Sequence, residues 1–150
     1  MKRSILIIGV FFLLISSCSL ENDNSNEPTQ ITLKHWNLIN VSGGVAGVDV
    51  DFNVGDIIWN YDQFNNLLYV ENSNTDDTLI DGLDTGTYDF YLIESNSKVY
   101  TILDVNEFGE IYTSETDTTI LTINQNNLST GSITDGFVYT FKITTSVVEI

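Results

Sequence analysis

At 150 residues the chain has the length of one domain, able to bury roughly two-thirds of the surface its unfolded form exposes. Its 21 acidic side chains against 5 basic ones give a net charge of −16, a field that repels phosphate backbones and anionic headgroups and so excludes nucleic-acid binding and electrostatic docking on a membrane. One cysteine, Cys18, and one histidine, His35, leave no intramolecular disulfide and no zinc site of the His/Cys kind.

The chain opens with Lys2 and Arg3, an apolar run from Ile5 to Ile15, and the small residues Ser16 and Ser17 before Cys18. At ~1.5 Å per residue that run covers about half of a ~30 Å hydrocarbon core, too little for a spanning helix. A basic start, a short apolar run and small residues make a cleavable signal. With the cysteine at that place the segment resembles a bacterial lipoprotein signal. The resemblance implies cleavage after residue 17 and lipidation of Cys18 as the membrane anchor; the alternative is an ordinary secretory signal. One acyl chain binds membranes marginally, whereas lipoproteins of this type are expected to carry three. Losing Lys2 and Arg3 with the signal takes the net charge from −16 to −18.

Residues 18–30 are polar, acidic and contain Pro28, the single proline, which predicts a lipidated disordered tether before a domain over 31–150. The acidic start after the cysteine resembles the surface-export signals of Bacteroidetes lipoproteins. That implies an outer-membrane lipoprotein, with surface and periplasmic orientations both open.

From residue 31 the pattern becomes period-two alternation rich in Ile, Val, Thr, Tyr and Phe, with no helical period held over three turns. Eight strands are predicted, at 31–41, 55–62, 66–72, 87–95, 98–104, 109–114, 118–125 and 136–145. Asn65-Asn66, Asn96-Ser97, Gly109, Asn126-Asn127 and Asp135-Gly136 supply the turn residues between them. Ile57, Trp59 and Tyr61 share one face of their strand, and Phe137, Tyr139, Phe141 and Ile143 share one face of the last. The expected fold class is all-β, a single antiparallel eight-stranded barrel, with a two-sheet β-sandwich as the alternative.

The segment from Trp36 to Gly47 (WNLINVSGGVAG), Ile57-Ile58-Trp59, Leu68-Tyr69-Val70-Glu71-Asn72 and Gly82-Leu83-Asp84-Thr85-Gly86-Thr87-Tyr88 together resemble the small lipocalin-like lipoproteins of flavobacteria. The resemblance covers residues 36 to about 142 and implies a lipocalin-like barrel in the cell envelope, without an assigned activity. Lys34-His35 stand where true lipocalins have the start of their G-x-W motif.

Aromatic side chains on the inner faces are the candidates to line a ligand cavity: Trp36, Trp59, Tyr88, Phe90 and Phe141. The same bulk can fill a small barrel completely. Gly43, Gly44 and Gly47 do not make a phosphate loop, since no lysine follows them and no helix is predicted after them. His35 would need a nucleophile and an orienting group to act as a base, and no nucleophile-elbow sequence is present. Asp49, Asp51, Asn53 and Asp56 space oxygen ligands at alternate positions as a calcium loop would, and Asp76, Asp77, Asp81 and Asp84 form a second acidic cluster. Asp77-Thr78-Leu79 and Asp117-Thr118-Thr119 resemble the acceptor of Bacteroidetes O-glycosylation, which implicates Thr78 and Thr118. The expected function is that of a membrane-anchored, non-catalytic envelope lipoprotein binding a small apolar or amphipathic ligand. The alternative is an accessory surface lipoprotein with a filled barrel. No cofactor is expected beyond the calcium reading, and no nucleic-acid partner.

Overall fold

The computed structural model describes residues 30–149; the signal segment, Cys18 and the tether through residue 29 lie outside the described residues. Eleven strands follow one another: β1 (Gln30–Gly43), β2 (Val48–Asp51), β3 (Ile57–Asp62), β4 (Leu67–Asn72), β5 (Gly86–Ser95), β6 (Lys98–Leu103), β7 (Asn106–Thr113), β8 (Ile120–Asn124), β9 (Asn127–Leu128), β10 (Gly131–Ser132) and β11 (Phe137–Glu149). Eight of them form the barrel. β1, β3, β4, β5, β6, β7, β8 and β11 pair antiparallel in that order, and β11 closes on β1 from Gln30↔Glu149 to Gly43↔Phe137. Closure leaves a single sheet, so the sandwich alternative falls. The barrel closes and packs a hydrophobic core among the described residues.

Turn chemistry explains much of the meander. Asn96 and Ser97, both at positive φ (52° and 62°), make the two-residue loop that matches strand twist between Ser95 and Lys98. Asn66 does similar work between β3 and β4, with φ 54°. Gly109 does not. Expected at a joint, it sits inside β7, while the β6–β7 turn is made by Asp104, φ 53°, and Val105. Thr101 pairs with Gly109 and Ile102 with Glu107, so Phe108 is the extra residue of a bulge. The bulge turns Phe108 inward to stack on Tyr139, ring centroids 5.4 Å apart.

Two further corrections concern segments expected as loops. Val48–Asp51 folds back as β2 on residues 40–43 of β1, and β9 and β10 form a small hairpin in the β8–β11 connection. That connection covers the outside of β7, where Glu110 Oε2 accepts from Lys98 Nζ at 2.9 Å and from Asn127 Nδ2 at 2.8 Å. The outermost strands also run longer than expected, to Gln30 at one end of β1 and Glu149 at the end of β11.

The middle of the barrel is filled. Leu38, Val41, Ile57, Trp59, Leu68, Phe90, Ile123 and Phe141 all have 0% exposure. The β4–β5 segment closes one end: Gly82 lies over the core, where a Cβ would make ordinary contact at 3.5 Å with the Trp59 ring and at 3.5 Å with that of Tyr139, and Leu83 packs on the core beside it. The opposite end differs. β1 pairs with β3 only at Trp36↔Trp59 and Asn37↔Ile58, and above that level β1 continues with β11 alone as a projecting two-stranded ribbon.

Candidate functional site

Where β1 leaves β3, the seam opens into a cavity of about 850 Å³. This lies inside the ~300–1,000 Å³ typical of small-molecule sites. Side chains two apart on a strand share a face, so the inward row of β1 runs from buried Leu38 through half-buried Trp36 to exposed Lys34. Tyr61 on β3, Leu92 on β5, Leu121 on β8 and Ile143 on β11 complete an apolar wall, and the β3–β4 turn adds Phe64 at the rim, 88% exposed. The floor is aromatic. The Trp36 ring centroid lies 6.0 Å from Tyr61, 6.1 Å from Phe90 and 6.3 Å from Phe141, and Tyr61 meets Phe90 edge-on at 5.2 Å. Desolvation first, and the Asp62 carboxylate second, hold the Tyr61 phenol above its usual pKa, so it stays a neutral hydrogen-bond donor at the wall.

The aromatic candidates from the sequence therefore divide. Trp36 lines the cavity; Trp59, Phe90 and Phe141 are inaccessible and fill the barrel beneath it, with Trp59 and Phe141 4.9 Å apart. The indole N–H of Trp59 has no hydrogen-bond partner among the described residues. Tyr88 packs at the edge of the core and donates from its hydroxyl to the Asp84 carbonyl at 2.9 Å. Lys34, Tyr61, Leu92, Leu121 and Ile143 are not among the lining candidates named from the sequence, although Tyr61 and Ile143 lie on faces expected to point inward. Alternation indicated which way several of them point, but their place on an open wall depends on where β1 and β3 part, which no local pattern records.

His35 is half-buried with both ring nitrogens engaged: Nδ1 lies 2.6 Å from Asn60 Oδ1 and Nε2 2.7 Å from Ser146 Oγ. A serine on Nε2 and an orienting group on Nδ1 is the order of a nucleophile relay. Asn60, however, is neutral and adds no charge to hold an imidazolium, and Ser146 sits within regular β11 pairing rather than on a strained turn. What the three side chains do is tie β3, β1 and β11 together where the β1–β3 ladder stops.

The acidic candidates are distributed over separate hydrogen-bonded groups. Asp49 and Asp51 lie on β2 and both accept from Asn40 Nδ2, at 2.8 and 2.9 Å, whereas Asp56 accepts from Asn53 Nδ2 at 3.0 Å within its own turn. The alternating Val-Asp-Val-Asp that suggested spaced ligands is strand β2, held by its pairing with β1. At the closed end Asn72 and Asn74 both donate to Asp81 Oδ2, at 2.9 and 2.8 Å, beside a polar cavity of about 280 Å³ that Asp77 and Asp84 also line. Among the described residues no three His, Cys, Asp or Glu side chains group as metal ligands. Thr78 and Thr118 are both exposed in turns. The Thr78 hydroxyl donates to Asp76 Oδ1 at 2.6 Å, and in the second turn Thr119, not Thr118, donates to Asp117. Those threonine hydrogen bonds are the main cause holding the Asp76 and Asp117 carboxyls below the usual range.

No family model, curated protein or solved structure matches the chain. The functional reading therefore rests on the cavity itself.

Proposed function

We propose that the protein is a lipid-anchored envelope lipoprotein of lipocalin-like type that holds a small amphipathic molecule at the open end of its barrel, and that it binds without turnover. The observation that carries this is the apolar cavity of about 850 Å³ with Trp36 in its wall and an aromatic floor beneath. The anchor fits the same picture. The tether from Cys18 ends at Gln30, at the tip of the ribbon that borders the cavity, so lipidation would hold the open end near the bilayer. An outer-membrane lipoprotein placed this way meets amphiphiles at the membrane surface.

Tryptophan fluorescence tests the proposal, because the chain has two tryptophans, one in the cavity wall and one inaccessible. A twelve-carbon amphiphile below its micelle concentration should give a saturable change in the chain from residue 19 onward. Leu92→Asp, at a position 42% exposed on the cavity wall, should abolish the change while leaving the circular dichroism intact. A flat response in the unsubstituted chain supports the accessory reading instead, for which the inaccessible Trp59, Phe90 and Phe141 already speak.

A further inference from the structure

Lys34, Lys98 and Lys142 are the lysines among the described residues, and two of them are engaged. Lys98 Nζ lies 2.9 Å from Glu110 Oε2, and Lys142 Nζ lies 3.4 Å from Asp117 Oδ2. Lys34 has no salt bridge within the described residues, and it is the lysine on the cavity wall. It stands on the inward row of β1, one step of about 6.6 Å above Trp36.

Among the other polar groups on that wall, Asp62, His35 and Asn60 are committed elsewhere. Asp62, the one carboxylate lining the cavity, is turned into its own hairpin: Oδ1 accepts from the N–H groups of Phe64 and Asn65, at 3.0 and 3.1 Å, and Oδ2 from Asn65 Nδ2 at 2.7 Å. His35 and Asn60 are joined to each other, and His35 to Ser146. Among the described residues the cavity thus presents a largely apolar wall ending in one positive charge without a salt-bridge partner, in a protein whose net charge is −16. Resting on the reading of the cavity as a ligand site, we infer that its ligand is an anionic amphiphile of the long-chain carboxylate class, with the alkyl chain against Trp36, Tyr61, Leu121 and Ile143 and the carboxylate at Lys34.

The overall charge makes this inference discriminating. A field of this sign attracts cations and repels anions at long range, so any preference for an anion has to come from the local lysine. Calorimetric titration of the chain from residue 19 onward with dodecanoate and dodecyltrimethylammonium below their micelle concentrations, and dodecan-1-ol below its solubility limit, separates the contributions. Dodecanoate should bind about fivefold tighter than the alcohol, the size of one solvent-exposed charge pair, and the cationic amphiphile weakest. Lys34→Gln should erase the carboxylate preference, bringing dodecanoate to the affinity of the alcohol in the same variant; Lys142→Gln, outside the cavity, should leave the preference intact. Equal binding of acid and alcohol, or a preference that survives in Lys34→Gln, overturns the role of Lys34 but leaves the cavity reading standing. Failure of both acid and alcohol to bind overturns both.

Discussion

Replacing Gly109 by alanine tests the β7 bulge, and a second glycine provides the reference. Gly109 has φ +147° and Gly47 has φ +65°, so alanine is strained at both. They differ in what a Cβ would meet. At Gly47 nothing lies within 4 Å, whereas at Gly109 the added carbon would stand 2.5 Å from the Asn124 carbonyl oxygen and 2.9 Å from Gln125 Cα. These are backbone atoms, which cannot rotate aside. Gly47→Ala should cost only the left-handed penalty of about 1–2 kcal/mol. Gly109→Ala adds a displaced β7–β8 contact, worth roughly 1 kcal/mol per hydrogen bond lost, and a disturbed Phe108–Tyr139 stack worth about 1 kcal/mol more. The expected difference is about 2 kcal/mol, a large share of a typical stability of ~5–15 kcal/mol. Urea unfolding of both variants, read as midpoint shifts at unchanged m, measures it. Variants equal within about 0.5 kcal/mol would refute the bulge geometry.

Other perturbations address the core, the titration behaviour and the anchor. Phe141→Ala, at a fully buried ring 4.9 Å from Trp59, should cost about 3–5 kcal/mol, and Val105→Ala, 89% exposed, less than about 0.5 kcal/mol, both read from urea midpoints. Burial, with the Asp81 charge second, pushes the Tyr139 phenol up to about 12, so the fold favours the neutral form. Its contribution should be fully present below about pH 10 and be lost as pH rises through about 12, roughly 3 kcal/mol in all; in Tyr139→Phe the alkaline fall in the urea midpoint should shrink to what Tyr61, Tyr88 and the Glu110-paired Lys98, all raised in the same direction, leave behind. Cys18→Ser should release the protein from the membrane fraction and block maturation in cell fractionation, while unchanged retention would count against the lipid anchor.

The barrel was legible in the sequence because its strands alternate. Ile57-Trp59-Tyr61 and Phe137-Tyr139-Phe141-Ile143 put every second side chain inside, and the structure buries or half-buries all of them. Turns needing positive φ were legible where the chain supplies asparagine or serine, as at Asn66 and Asn96-Ser97. Gly109 misled because a glycine's freedom serves a bulge as readily as a turn, and local sequence does not tell the two apart. β2 was missed because four residues of Val-Asp-Val-Asp gain strand character only by pairing with β1. The cavity wall was missed for a similar reason. Trp36 is an obvious aromatic, but Leu92 and Leu121 read as ordinary core residues until β1 and β3 are known to part above Trp36.

Amide and methyl NMR spectra of the chain from residue 19 onward, titrated with dodecanoate, test the central claim most directly. Ligand at the open end should shift the resonances of Leu33, Trp36, Tyr61, Leu92, Leu121 and Ile143, and leave Asn74, Asp81 and Gly82 at the closed end unmoved. Shifts confined to the closed end, or none at saturating dodecanoate, would contradict the account.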